Sequence, residues 1–126
     1  MKYKFATSIN CMDGRVQIPV IEYMKHKFKV KYVDMITEPG PNKILCENCD
    51  ECLINSIKSR VDISVNNHGS KVISVVGHYD CAGNPVDREK QIEDIKCAVD
   101  NVKNWCEDIE VIGLYVDDKW KIKKIC

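Results

Sequence analysis

Val72-Ile73-Ser74-Val75-Val76-Gly77 runs without interruption into His78-Tyr79-Asp80-Cys81. The first six residues are apolar on both faces, the pattern of a parallel strand buried from above and below. The next four set an imidazole and a thiol three residues apart, just where the strand must end. A similar arrangement occurs near the start of the chain, where residues 3–10 read as a strand that closes on Cys11-Met12-Asp13-Gly14-Arg15. Each stretch is followed by a segment of helical periodicity. Together they read as two strand–loop–helix units of an open α/β sheet, which gathers functional side chains at the carboxyl ends of its strands.

The rest of the chain fits around these units. Pro19 reads as part of the first turn of a helix reaching about Phe28, a position where proline costs little. Val20, Ile21, Met24 and Phe28 give it an apolar stripe, and His26 falls among solvated lysines. Residues 31–36 read as the second strand. Thr37-Glu38-Pro39-Gly40-Pro41-Asn42 then forces a loop at the same sheet edge as the two site loops. That loop either borders the pocket, Gly40 permitting close backbone approach, or is an ordinary connection.

Leu53, Ile54, Ile57, Val61 and Val65 predict a helix from about residue 50 to residue 66, stopped by Asn66-Asn67-His68-Gly69, with His68 a turn residue. Asp87 suits an N-cap, and Ile92, Ile95, Val99, Val102 and Cys106 mark the buried stripe of the helix it opens. Residues 110–116 read as a strand. A turn at Asp117-Asp118 leads to a short antiparallel edge strand over residues 119–122, its lysines guarding the edge. The expected fold class is α/β: a central, mostly parallel sheet flanked by helices, with a C-terminal antiparallel edge strand.

Composition narrows the function classes. The chain has 126 residues, enough for one domain with helices on both faces of a sheet, and 44% of them are hydrophobic. Nineteen basic residues balance nineteen acidic ones, so charge gives no reason to expect nucleic acid or a membrane surface as partner. No apolar stretch approaches the roughly 20 residues of a membrane span. The opening Met1-Lys2-Tyr3-Lys4-Phe5 lacks the pattern of a signal peptide, which makes a cytoplasmic location the expectation.

Eight cysteines then read as reduced thiols, some of them metal ligands. Cys97 and Cys106 are expected to pack as small apolar residues and terminal Cys126 to be exposed. Cys46, Cys49 and Cys52 recur at a spacing of three. They read either as a second metal or redox site, or as partly buried helix cysteines.

Cys11, His78 and Cys81 supply the thiolate and imidazole ligands that zinc favours, and leave the fourth position open as catalytic sites do. Two thiolates cancel the ion's formal charge, so its bound water needs help from neighbours. Asp13 is placed to accept a hydrogen bond from that water, and Arg15 to hold Asp13 ionised and oriented.

Cys11-Met12-Asp13-Gly14-Arg15 followed by Gly77-His78-Tyr79-Asp80-Cys81 resembles the signature of the β-class carbonic anhydrases. That family carries a Cys-x-Asp-Ser-Arg loop and a Gly-His-x-x-Cys-Gly loop on a parallel-sheet α/β fold. The resemblance covers nearly the whole chain and implies one carbonic-anhydrase-like domain over residues 1–126. It further implies Zn2+ on Cys11, His78 and Cys81, an Asp13–Arg15 dyad, and reversible hydration of carbon dioxide to bicarbonate by a zinc-bound hydroxide, the carbonate dehydratase reaction of a lyase. A homodimer is the expected assembly, with an apolar face near Trp120 for a partner to cover. Gly14 stands where the family usually has serine, Ala82-Gly83 follows Cys81, and ten residues precede Cys11 where relatives generally carry N-terminal helices. Two other readings stand beside this one. One is a non-catalytic zinc protein of the same fold, the other a thiol redox or metal-handling protein using Cys46, Cys49 and Cys52.

Overall fold

The structure, a computed structural model, describes residues 4–126. Five strands form one sheet in the order β2-β1-β3-β4-β5, with β1 Phe5–Cys11, β2 Tyr32–Glu38, β3 Val72–His78, β4 Glu110–Val116 and β5 Ile122–Lys124. β1 pairs in parallel with β2 and β3, β3 pairs in parallel with β4, and β5 runs antiparallel to β4. The α/β expectation holds. The start of the first strand at Tyr3 lies outside the described residues.

Alternation along the strands divides the core between two faces. Ile73, Val75, Val111 and Tyr115 pack with Ile54, Ile57 and Val61 of α3 (Glu51–Asp62) and Ile95, Val99 and Val102 of α4 (Arg88–Lys103). Val72, Val76, Ile112 and Leu114 pack with Val16, Val20 and Met24 of α1 (Gly14–Phe28) on the other face. Every residue of β3 is buried, as expected of a central parallel strand. Fully burying a side chain such as Leu or Ile contributes roughly 1.5–3 kcal/mol, so these two layers hold the strand ends at a fixed spacing.

Several boundaries differ from the sequence expectation, each for a physical reason. α1 starts at Gly14, not near Pro19, because the Asp13 side chain caps it by accepting from the Arg15 N–H. Pro19 is therefore inside the helix, beyond its first turn. Pro39-Gly40-Pro41 is not only a loop: Pro41 opens a short helix, α2 (Pro41–Glu47), since proline suits a first helical position. The helix over residues 50–66 is α3 followed by a π-helical turn, Ile63–Asn67, in which the His68 N–H reaches back to the Ile63 carbonyl.

α4 buries Gln91 and Asp94 beside the expected stripe of Ile95, Val99 and Val102, while Ile92, expected within that stripe, is only half-buried. The edge strand begins at Ile122 because the Asp117 carboxylate accepts from both Lys119 N and Lys121 N and closes a turn over residues 117–121.

The cysteines also depart from expectation. Cys97 is not a free apolar filler: it forms a disulfide with Cys46, joining α2 to α4. Cys106 packs, half-buried, against the core, and Cys126 is exposed. Among the described residues no helix is long and apolar enough to cross a membrane.

Candidate metal centre

The strand order reverses direction between β1 and β3, and the crevice beyond the carboxyl ends of such a pair is where open α/β sheets bind ligands. Cys11 is the last residue of β1 and His78 the last of β3, so adjacent parallel strands deliver both to the same crevice. Cys81 follows on the turn after β3, where Asp80 takes a left-handed backbone at φ 58°. All three side chains are buried, and their ligand atoms lie within 4.8 Å of one another. Among the described residues this is the one such group of three or more histidine, cysteine or carboxylate side chains.

The donor set fits a zinc ion in two respects. The sulfurs of Cys11 and Cys81 are 3.9 Å apart, whereas tetrahedral Zn–S bonds of about 2.3 Å imply an S–S edge of about 3.8 Å. His78 Nδ1–H donates to the Tyr79 carbonyl at 2.7 Å, which leaves the lone pair on Nε2. That Nε2 atom is buried and has no hydrogen-bond partner, a costly state for a polar atom unless something else takes up its lone pair.

Electrostatics agree with this reading. Contact between the sulfurs pulls the Cys11 thiol well below its ordinary range and pushes Cys81 up, while burial raises both. The buried pair therefore holds one negative charge more readily than two, and a dication would relieve that repulsion. Backbone N–H groups of Gly40 and Asp13 face the Cys11 sulfur, and those of Gly83 and Asn84 face Cys81. Burial opposes a charged His78, but its contact with the Cys11 sulfur and the Tyr79 carbonyl outweighs it and raises the imidazole pKa.

Asp13 and Arg15 form a two-pronged ion pair beside these ligands. Arg15 Nη2 donates to Asp13 Oδ2 at 2.7 Å and Nε to Oδ1 at 3.1 Å. The Arg15 contact holds the Asp13 carboxyl at about 2, below the usual carboxylate range. The Asp13 carboxylate stands outside the group of metal-ligating atoms. Arg15 also reaches Asp80, through Nη1 to Oδ2 at 3.3 Å and Nη2 to the carbonyl at 3.2 Å, and its guanidinium lies 4.5 Å over the Trp120 ring. Arg15 thus ties the Cys11 loop to the Cys81 loop. Trp120 packs under Arg15 rather than presenting a free edge-strand face.

Several supporting residues were not singled out in the sequence. Gln17 Nε2 donates to the carbonyls of Cys11 and Asp13 at 2.8 Å each, and Asn10 donates to Gln17 Oε1, fixing the first loop from within. Behind the second loop, Asn42 donates to Gln91, Gln91 to the Asn84 carbonyl, and Asn84 to Asp94. The available signal was Gln91 and Asp94 interrupting the apolar face of an otherwise regular helix.

Two candidates do not join the site. Cys46 is bonded to Cys97, and Cys46, Cys49 and Cys52 are not gathered into a metal-ligating group in this structure. His68 is a turn residue as expected, but its Nδ1 contacts the Asp34 carboxylate at 2.6 Å and its ring stacks on Phe5. A cavity of about 750 Å³ opens at the opposite ends of the strands, between Phe5, Phe28, Val30 and Val72. Among the described residues no cluster of metal ligands lines it, and the Cys11, His78 and Cys81 group lies at the other end of the sheet.

Comparison with known proteins agrees with the fold. A family model described as "Putative carbonic anhydrase" matches residues 1–126. Among curated proteins, none matches. Similar solved structures include the β-carbonic anhydrase isoform I of Trichomonas vaginalis (20% identity, TM-score 0.61), where 99% of this chain and 86% of that chain are covered. A carbonic anhydrase from Streptococcus mutans aligns at 19% identity and TM-score 0.64, over 99% and 84% of the two chains. One of two tetrameric β-carbonic anhydrases from Sordaria macrospora aligns at 14% identity and TM-score 0.56, over 99% and 82%.

Proposed function

The chain belongs to this carbonic anhydrase family, and from that premise we propose that it is a zinc-dependent lyase that interconverts carbon dioxide and bicarbonate. The observation that carries the reading is the three-ligand group of Cys11, His78 and Cys81 with an Asp13–Arg15 ion pair beside it. A purely structural zinc site closes its fourth position and has no use for such a pair. When bound, zinc supplies the Lewis acidity that makes a water molecule reactive near neutral pH.

The chain's own residues do the rest. Tyr79 fixes the His78 tautomer through its carbonyl, and the backbone N–H groups at both sulfurs favour thiolates. Asp13 is anionic at every physiological pH and can only accept a hydrogen bond, so a water molecule meeting it must donate one proton and turn its lone pairs elsewhere. Arg15, gripped by Asp80 and Trp120, keeps that carboxylate from rotating. Met12 and Tyr79 flank the ligands and are 63% and 49% exposed, giving the loop surface an apolar character. Covering that surface is the reason to propose a homodimer, which light scattering at micromolar concentration tests: a monomer mass removes it.

The function itself is tested by measuring metal content together with carbon dioxide hydration followed by a pH indicator. Protein carrying a single zinc per chain and accelerating hydration over buffer is the expected result. Fully zinc-loaded protein with no acceleration, at pH 7 and again above pH 8, overturns the proposal.

A further inference from the structure

The Cys46-x-x-Cys49-x-x-Cys52 run is not used by the metal centre. Cys46, in the last turn of α2, is bonded to Cys97 in α4 with their Cα atoms 5.1 Å apart. Cys49 and Cys52 are exposed free thiols. Between Cys46 and Cys49 the helix ends and Asn48 takes a left-handed backbone at φ 52°, so the chain folds back sharply before Asp50 caps α3. A free, solvent-facing thiol thus follows a disulfide sulfur by three residues around a tight turn.

The disulfide is also not the only tie between these helices. Asn101 of α4 donates to the Leu45 carbonyl at 2.8 Å, and Asn42 of α2 donates to Gln91 of α4. α2 therefore stays seated on α4 when the bond opens, and the sulfurs can change partners without unfolding.

We propose that Cys46, Cys49 and Cys97 form a thiol–disulfide exchange site, with Cys49 as nucleophile, Cys46 as the shared sulfur and Cys97 as the leaving thiol. The Cys49 thiolate attacks Cys46 Sγ. A Cys49–Cys46 bond forms, the Cys46–Cys97 bond breaks, and Cys97 departs as a thiolate that takes a proton from water. This step involves no net oxidation. The bond now lies on the exposed turn, and its substrate class is an external dithiol. One dithiol sulfur attacks Cys49 Sγ and releases the Cys46 thiolate. The second dithiol sulfur then attacks the first, releasing Cys49, so that two cysteines are reduced and the dithiol is oxidised to a disulfide. The half-buried Cys46–Cys97 bridge is thereby reduced through an exposed thiol, without an outside reagent having to enter the helix interface.

The test follows opening of the bridge in the full chain with dithiothreitol at about 0.1 mM, quenching with iodoacetamide and mapping peptides without further reduction. A short flexible connection gives an effective thiol concentration of the order of millimolar, so Cys49→Ser is expected to slow release of the Cys97 thiol by about tenfold. Cys52→Ser is expected to keep the wild-type rate. Wild-type samples should contain a transient peptide with Cys46 joined to Cys49 and Cys97 alkylated. Equal rates in Cys49→Ser and wild type overturn the proposal, as does a time course in which the Cys46–Cys49 peptide never appears. Both variants alter exposed side chains, so circular dichroism should show them folded, and zinc content provides a second check that the rest of the molecule is intact.

Discussion

Gly40 and Gly83 meet backbone to backbone where the loop after β2 crosses the loop that carries Cys81. A Cβ on Gly40 would lie 2.7 Å from the Gly83 carbonyl carbon, and one on Gly83 would lie 2.6 Å from the Gly40 nitrogen. Neither distance is compatible with a side chain, and both neighbours are backbone that cannot swing aside. The loop after β2 is therefore part of the wall around the Cys11, His78 and Cys81 group, and its Gly40 N–H faces the Cys11 sulfur.

Gly83→Ala is expected to cost about 1–3 kcal/mol of stability by overpacking. Gly40→Ala should cost more, because its φ of 60° adds the left-handed penalty of roughly 1–2 kcal/mol. Gly14, which has nothing within 4 Å of its Cβ direction, is the control, and Gly14→Ser should change stability by no more than about 0.5 kcal/mol. Urea unfolding of the three variants measures the order. Equal midpoints for Gly83→Ala and Gly14→Ser would show that the loops are not pressed together.

Replacing one metal ligand removes a third of the protein donor set and leaves a buried sulfur or imidazole facing empty space. Cys81→Ser is expected to lose zinc almost completely while the sheet persists, since Cys81 sits on a turn and contributes no strand pairing. Thiol alkylation supplies a second readout. In wild-type protein carrying zinc, exposed Cys49 and Cys52 should react at once and buried Cys11 and Cys81 slowly. A Cys81→Ser protein that keeps its full zinc would move the centre elsewhere.

How far the sequence carried the fold depends on which force sets each feature. β3 and β4 were legible because burial on both faces demands an unbroken apolar run, and both ends of β4 fall where expected. The Cys11, His78 and Cys81 group was legible because each ligand closes or follows such a run. α2 was not, because Pro39-Gly40-Pro41 reads as a stop, and the fact that Pro41 also starts a helix is decided by packing on α4. The Cys46–Cys97 bridge was not legible either. It spans a separation of 51 residues, and no local pattern encodes which helix faces meet. Gln17, Gln91 and Asn84 act on backbone carbonyls and side chains of other elements, so their polar character alone said nothing of their targets.

The Asp13–Arg15 pair has an acid limit. Arg15 lowers the Asp13 pKa from the ordinary 3.8 to about 2 in the folded chain. A depressed carboxylate pKa gives stability that is fully present above the unfolded value and is lost as pH falls through the folded one. The pair should therefore stay intact down to about pH 4 and dissolve between there and about pH 2. Carboxyl-carbon NMR titration checks the midpoint, and Arg15→Gln should return it upward toward 3.8. A wild-type midpoint at or above the ordinary value contradicts the pairing.

The dyad also separates an enzyme from a zinc scaffold. If Asp13 serves only as the N-cap of α1, Asp13→Asn should leave zinc, fold and turnover nearly unchanged, because asparagine caps helices as well as aspartate does. If Asp13 orients the reacting water, the same change replaces a pure acceptor by an amide that also donates, and hydration should slow by about 10²–10⁴-fold with zinc retained. Arg15→Lys keeps the positive charge but loses the planar fork that grips both carboxylate oxygens and spans to Asp80. It should therefore lie between wild type and Asp13→Asn in rate, again with zinc retained. Reading zinc content, thermal midpoint and hydration rate on the same samples removes the ambiguity of a misfolded variant. Asp13→Asn protein that keeps its zinc and its wild-type rate would leave Asp13 a helix cap and nothing more.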